Sequence, residues 1–306
     1  MLNGAGVLLT AVAMYYIVDT MVSGAREAGG LSNLLEFDVP MFAVSFVLML
    51  VHLLSAAWSW QKVCNVAGAS ITFRQAFDVH FLAQVGKYVP GKVWSAVGKI
   101  GLSRKIGLSG VRTGHALVLE SILIVSGCLI VSLPVIPFVA VRMGLGEGVT
   151  VALVAVMVLL VMAAAHPAAL GVLVKIFSKV TGRNVYVGDA DFRNVLGLLP
   201  VYVLVLLSQG IAFFFLARSF GVDLPFWPGI FLMPTAVGVG FLALFSPGGL
   251  GIREISLVWL LSVVVPEVEP AGISLLAIAA RLWITLGEIM AFLAAMASWK
   301  GYASGD

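Results

Sequence analysis

The sequence predicts an all-α protein that crosses a membrane several times. Of its 306 residues, 61% are hydrophobic and 11% are charged, and the mean hydropathy is +1.08, which lies outside the range of water-soluble domains. The apolar segments repeatedly reach the ~20 residues that a helix needs to cross ~30 Å of hydrocarbon, and they lack the alternating pattern of barrel strands. We therefore predict a single integral membrane domain over residues 1–306, with about six to eight transmembrane helices.

Six segments are apolar enough to be predicted as spans: residues 4–22, 40–58, 114–134 or beyond, 149–166 or beyond, 195–216 and 271–297. The first segment has no basic region before it and no clear small-residue cleavage site. We interpret it as a retained span rather than a signal peptide.

Two regions between these spans, 78–101 and 229–266, are interrupted near their middle. The interruptions are Pro-Gly breaks, formed by Pro90 and Gly91 in the first region and by Pro247, Gly248 and Gly249 in the second. A helix over 78–90 would advance only ~18 Å, about half of the hydrocarbon core, before the proline ends it. The first region is predicted to form a re-entrant hairpin or two interfacial helices. The second is predicted to form either two short spans or a hairpin from the opposite side.

If both regions are hairpins, they enter from opposite sides and each lies between two full spans. This arrangement is typical of an inverted repeat, in which broken helices meet near mid-membrane to form a binding site. The halves of the repeat would cover about residues 40–140 and 194–297. Two unrelated helix kinks are the alternative interpretation.

Loop charges predict the orientation, since basic residues are retained in the cytoplasm. Residues 61–113 contain eight Lys and Arg residues and one acid, Asp78. The loops 23–39 and 265–270 are mainly acidic. We expect the basic loops and both termini to be cytoplasmic.

Three charged residues lie deep in predicted spans: Glu120, Arg281 and Glu288. A charge in hydrocarbon costs several kcal/mol or more, so each is a candidate for function or for an ion pair. Arg281 and Glu288 are seven residues apart, about 10.5 Å along one helix face, which is too far for a direct pair. The partner of Arg281 could be Glu120 or Glu254, and a purely structural ion pair is the alternative to a functional role.

The first interrupted region contains the motif "QVGKYVPGKVW". Lys87 and Lys92 are predicted to attract the phosphate of a lipid headgroup, while Tyr88 and Trp94 anchor at the headgroup level. The alternative is an ordinary amphipathic helix at the membrane interface.

The second interrupted region contains "SPGGLGIRE". Its glycines free backbone amides at a helix start, and Arg253 beside Glu254 can bind a phosphate or carboxylate. A plain glycine turn with solvated charges is the alternative.

No motif for catalysis, a cofactor or a metal was found. The four histidines lack metal-ligand spacing, and no nucleotide-binding fingerprint is present. Asp189 and Asp191, or Glu36 and Asp38, are the acids that a lipid-linked glycosyltransferase would need, which leaves this enzyme class as an alternative. The two cysteines, Cys64 and Cys128, are interpreted as small buried apolar residues.

The two motifs, in this order and widely separated, resemble the signatures of the lysylphosphatidylglycerol synthase transmembrane family, the flippase-like membrane domain also found in the bacterial multiple peptide resistance factor. The resemblance covers roughly residues 40–297. The matching positions are Gln84, Lys87, Tyr88, Pro90, Gly91, Lys92 and Trp94 in the first motif, and Pro247, Gly248, Gly249, Gly251, Arg253 and Glu254 in the second. The resemblance implies a multi-pass helical unit in the cytoplasmic membrane of a prokaryote that moves a lipid between leaflets.

The sequence ends shortly after Lys300 without an aminoacyl-transfer domain, so we expect a stand-alone member that does not itself transfer lysine. The predicted function is a lipid flippase or scramblase, and not an enzyme, acting on aminoacyl-phosphatidylglycerol or a polyprenyl-phosphate-linked sugar. The alternatives are a lipid-linked glycosyltransferase and an accessory subunit of a glycolipid pathway. The expected partners are the lipid, the membrane, and a second copy or a synthase; nucleic acid is not expected.

Overall fold

The computed structural model describes residues 37–88, 94–165, 192–242 and 252–303. Every regular element in these ranges is a helix, which confirms the all-α prediction. In chain order the elements are α1 (Val39–Val66), α2 (Phe73–Gln84) followed by the 3-10 turn Val85–Tyr88, α3 (Trp94–Lys105), α4 (Gly110–Ser132), α5 (Val135–Arg142), α6 (Glu147–Ala165), α7 (Phe192–Leu196), α8 (Leu199–Ser219), α9 (Phe226–Leu242), α10 (Ile252–Val264) and α11 (Pro270–Ala303).

Several described helices are long and apolar enough to cross a membrane. They are Val39–Val66, Gly110–Ser132, Asn194–Ser219 and Pro270–Trp299. These helices contain most or all of the predicted spans 40–58, 114–134, 195–216 and 271–297. Two shorter apolar helices, Glu147–Met162 and Phe226–Leu242, accompany them. The chain is therefore a polytopic helical membrane protein, as predicted, although the span predicted over 4–22 lies outside the described residues.

Polar side chains set where the first two helices begin. The Asp38 carboxylate accepts a hydrogen bond from the backbone N–H of Met41 at 2.8 Å, and Pro40 occupies the first turn of α1. Thr72 and Gln75 form a capping box at the start of α2, which satisfies backbone N–H groups that a helix start leaves without partners. A new helix therefore starts soon after α1 ends.

Helices α1 and α8 pack antiparallel along their length. The backbone N–H of Asp38 donates to the Ser219 carbonyl at 2.8 Å. The Ser45 hydroxyl donates to the Ala212 carbonyl at 2.8 Å. His52 Nδ1 lies 2.9 Å from the Val205 carbonyl. Each step of seven residues forward along α1 thus matches seven residues back along α8, or two helical turns.

Helices α2 and α3 form a first pair that begins and ends at the same end of the bundle. The Arg112 guanidinium, at the start of α4, donates to the Gly68 carbonyl in the α1–α2 turn at 2.8 Å. Arg104, near the end of α3, packs against Gly110 at the start of α4. The chain therefore returns to the end from which α2 started. We call this the basic end, because Arg104, Lys105 and Arg112 lie there.

Helix α2 runs antiparallel to the last part of α11. Arg74, in the first turn of α2, donates from Nε to the Ser298 hydroxyl at 2.8 Å. The Ser298 hydroxyl in turn donates to Asp78 Oδ2 at 2.8 Å. Further along, Lys87 contacts Glu288. The 3-10 turn at the end of α2 is thus held beside the middle of α11.

Helices α9 and α10 form a second pair, which starts from the opposite end. Helix α9 follows α8, whose end is bonded to the start of α1 through Asp38, and α10 leads into the start of α11. We call this the acidic end, because it carries Asp38, Asp223, Glu267 and Glu269. Gly240, near the end of α9, approaches Arg253 at the start of α10 so closely that a Cβ atom there would lie 3.0 Å from the Arg253 Cβ. The far ends of both pairs therefore point toward the middle of α11.

Candidate functional site

An ion pair joins the end of the first helix pair to α11. The Lys87 ammonium contacts the Glu288 carboxylate, and the Gln84 amide donates to the same carboxylate oxygen at 3.4 Å. Gln84 and Lys87 both belong to the first motif. Glu288 was selected from the sequence as a charge within a span, but its partner was not predicted.

A second set of charges joins α10 to α11. Arg281 Nη1 lies 3.3 Å from Glu254 Oε1, and Arg253 Nη2 lies 3.4 Å from the same oxygen. Of the two partners considered for Arg281 from the sequence, the structure has Glu254. One carboxylate oxygen thus lies beside two guanidinium groups, a type of group that binds carboxylates and phosphates alike.

The two sets form one site. Arg281 and Glu288 are two turns apart on α11, and both Arg281 and Arg253 are close enough to act electrostatically on the Lys87 ammonium. We call Lys87, Arg253, Glu254, Arg281 and Glu288 the central charge cluster. Its side chains are between 10% and 26% exposed. Three cations and two carboxylates leave the cluster with one excess positive charge.

Two histidines flank the central charge cluster and were not selected from the sequence. His52 on α1 acts electrostatically with Glu288, and its Nδ1 also lies 3.3 Å from the Ser208 hydroxyl. His80 on α2 is within electrostatic range of the Lys99 ammonium and also of the Lys87 ammonium. Their sequence positions gave no sign of this, because isolated histidines on apolar helices are usually packed in a core.

Glu120 lies in a different polar contact. Both of its carboxylate oxygens accept hydrogen bonds from the Lys99 ammonium, at 2.8 and 2.7 Å. The ammonium lies 3.8 Å from the centre of the Trp60 ring, a cation–π contact. This buried pair joins α3 to α4 and α1. Lys99 was counted from the sequence only as a cytoplasmic loop charge.

The remaining predicted site residues are only partly described. Trp94 begins α3 and is 50% exposed. Tyr88 ends the 3-10 turn, and its side chain lies outside the described residues. The other predicted residues outside the described ranges are Pro90, Gly91, Lys92, Pro247, Gly248 and Gly249, together with the acids Glu36, Asp189 and Asp191.

Within the described ranges, no group of three or more His, Cys, Asp or Glu side chains is arranged to hold a metal ion. The two cysteines, Cys64 and Cys128, are free and buried. Asp38, one of the acids considered for a glycosyltransferase, caps α1.

The fold and the site together define a polytopic helical membrane protein whose interior holds a net positive cluster where two helix pairs converge. The chain belongs to the family described as the lysylphosphatidylglycerol synthase TM region, whose profile matches residues 4–287. This membership confirms the resemblance carried by the two motifs. No curated protein matches the chain significantly.

Proposed function

We propose that the protein is a lipid flippase or scramblase that moves a phosphate-bearing lipid between the leaflets of the membrane. The observation that carries the proposal is the central charge cluster, which brings Lys87, Arg253 and Arg281 together among apolar helices. Charges in such surroundings are costly, and in membrane proteins they commonly mark the path of a substrate. Family membership supports the same class of function.

The charge balance supports a phosphate-bearing headgroup. A phosphodiester carries one negative charge, which would offset the excess positive charge of the described cluster. Arginine also binds phosphate with two parallel hydrogen bonds. Aminoacyl-phosphatidylglycerol and a polyprenyl-phosphate-linked sugar both contain this group, and the carboxylates of Glu254 and Glu288 would face the amines or hydroxyls of the remaining headgroup.

The two helix pairs are proposed to be re-entrant hairpins of opposite orientation. Helix α2 has 12 residues and α10 has 13, so each rises only about 18–20 Å and is shorter than a span. The first pair starts from the basic end and the second from the acidic end, which we propose to be cytoplasmic and external, respectively. Their inner ends would form the headgroup site, as broken helices do in transporters built from inverted repeats.

In the proposed mechanism, the headgroup phosphate competes with Glu288 and Glu254 for their cationic partners. Entry from one leaflet would break the Lys87–Glu288 contact, and release toward the other leaflet would restore it. The tails of the lipid would remain in apolar surroundings. Arg281 would hold the phosphate throughout, because its side chain is only 10% exposed and α11 is a continuous helix at this point.

The test is transport in liposomes that contain the purified protein. Fluorescent phosphatidylglycerol, its lysyl form and a polyprenyl-phosphate sugar would each be followed for leaflet asymmetry. We expect movement of at least one lipid, with a large loss in Arg281→Ala. Arg218→Ala is the matched control, because Arg218 pairs with Asp223 at 2.8 Å on the exposed acidic end, away from the cluster.

The variants must retain the elution profile and thermal midpoint of the wild type. If none of the three lipids moves, the transport proposal is wrong, and product formation from a lipid-linked sugar donor would favour the enzyme class instead. If Arg281→Ala transports as well as Arg218→Ala, transport would not depend on the central charge cluster.

A further inference from the structure

We propose that one hydrocarbon chain of the transported lipid lies in an apolar groove beside the central charge cluster. This inference rests on the proposed function and adds the position of the lipid tail. The groove is formed by α4, α5, α6, α9 and α10, and its volume is about 470 Å³, within the range of sites that hold small molecules. Each of the five helices contributes side chains, for example Val139 from α5, Leu160 from α6 and Trp259 from α10.

The lining suits a ligand without polar groups. Among the described residues that line the groove, none is charged. The Ser132 hydroxyl in its wall donates to the Cys128 carbonyl at 2.7 Å and is therefore already satisfied. The Thr235 hydroxyl, also in the lining, is the one hydroxyl of the described wall that has no hydrogen-bond partner. A polar ligand would therefore recover at most a small part of its lost hydration here, whereas a hydrocarbon chain has none to lose.

The groove and the central charge cluster both involve α9 and α10. Phe241 and Leu242, at the end of α9, line the groove, and their neighbour Gly240 packs against Arg253. On α10, Trp259 lies about 7.5 Å along the axis from Glu254 and about 140° around it, so the helix presents Glu254 to the cluster and Trp259 to the groove. A charged site and an apolar groove therefore share the same two helices.

This juxtaposition points to an amphiphile with an anionic head and an apolar chain. A free inorganic anion would use the cluster alone and leave the groove unexplained. An apolar helix of a partner protein would fill the groove but would leave the cluster unexplained. A single lipid uses both, with its phosphate at the cluster and one chain in the groove, so that the head crosses the membrane while the chain remains in an apolar environment.

The groove can be tested with a phosphatidylglycerol that carries a photoreactive group within one acyl chain. The full-length protein is placed in phosphatidylcholine vesicles that contain a trace of this probe, irradiated, and mapped by peptide mass spectrometry. We expect labelling of groove residues that unlabelled phosphatidylglycerol competes away. Labelling of ordinary lipid-facing residues should not be saturable.

Two neighbouring residues of α6 provide a matched pair of variants. Leu160 lines the groove and Leu159 does not, while both are exposed, by 48% and 63% respectively. Leu160→Trp should fill the groove and reduce both saturable labelling and lipid movement several-fold. Leu159→Trp should leave both at the wild-type level.

A third variant tests whether the groove and the central charge cluster bind the same lipid molecule. Arg281→Ala should reduce groove labelling by the phosphatidylglycerol probe but not by an uncharged diacylglycerol probe.

Labelling that cannot be competed, or equal effects of Leu160→Trp and Leu159→Trp, would overturn the proposal even where lipid movement is normal. Crosslinks between two protein copies through the groove would also overturn it. If wild-type protein moves no lipid, the proposed function fails, and saturable labelling of the groove then reports on the chain site separately.

Discussion

Lys87 forms an ion pair with Glu288, which lies 201 residues further along the chain. This contact holds the inner end of the first helix pair against the middle of the last long helix. Through Arg281, on the same helix, it also brings that end close to Arg253 and Glu254 of the second pair. The contact therefore joins the first sequence motif to α11, and Arg281 on the same helix contacts Glu254 of the second motif.

The Lys87–Glu288 pair should show coupled effects on stability. Lys87→Met and Glu288→Leu should each lower the thermal midpoint in detergent, because each removes an ion-pair contact from a poorly solvated charge. The double variant should lose less than the sum of the two, with a coupling of roughly 0.5–3 kcal/mol. Strictly additive losses would contradict a direct interaction.

Breaking the Lys99–Glu120 pair should lower stability more than breaking the Lys87–Glu288 pair, because the side chains of Lys99 and Glu120 are only 8% and 11% exposed. Glu120→Leu should destabilise the protein by roughly 3–5 kcal/mol, since it leaves the Lys99 ammonium buried without a carboxylate. Adding Lys99→Met should recover most of the loss.

The control for this pair is Asp223→Ala, which removes an exposed ion pair with Arg218 and should cost about 1 kcal/mol or less. Denaturant unfolding of the purified variants measures all of these changes. A Glu120→Leu protein as stable as Asp223→Ala would show that the buried pair contributes little.

Close packing of α4 and α9 predicts an effect of a single methyl group. A Cβ atom at Gly238 would lie 2.7 Å from the Cys128 Cβ, so Gly238→Ala should force the two helices apart at a cost of about 1–3 kcal/mol. Gly101→Ala is the control, because nothing lies within 4 Å of its Cβ position, and alanine should there stabilise α3 by up to about 1 kcal/mol. The thermal midpoints of the two variants should therefore move in opposite directions.

The predicted orientation can be checked with single cysteines. The natural residues Cys64 and Cys128 are buried and free, so they should react slowly with a membrane-impermeant maleimide. Lys105→Cys, at the basic end, should react only after the cells are permeabilised. Asp223→Cys, at the acidic end and with a side chain 85% exposed, should react in intact cells. Reaction of both from the same side would rule out the proposed topology.

Sequence patterns predicted the class of fold and most of the long helices correctly. The span predicted over 271–297 lies within Pro270–Trp299, and that over 40–58 lies within Val39–Val66. This succeeded because hydropathy over ~20 residues is a local property, and a membrane requires the backbone of each span to satisfy its own hydrogen bonds. The ends were less accurate, since α1 continues past 58 to Val66 before Thr72 and Gln75 begin the next helix.

The residues of the candidate site were also visible in the sequence, because a charge in an apolar segment is conspicuous wherever it lies. Glu120, Arg281 and Glu288 were all selected in this way. The sequence did not decide which residues they pair with. Arg281 had two candidate carboxylates, and the sequence predicted Lys99 to be a cytoplasmic loop charge, whereas in the fold it pairs with Glu120.

The sequence by itself therefore determined that this protein is a helical membrane protein with several spans and a few costly charges. Only the tertiary structure decided that Lys87 meets Glu288, that Arg281 meets Glu254, and that Lys99 and Glu120 form a separate buried pair. The physical reason is the distance along the chain over which each kind of interaction acts. Hydrophobicity and helix capping act over a few residues, whereas ion pairs between helices depend on how segments up to 201 residues apart pack together.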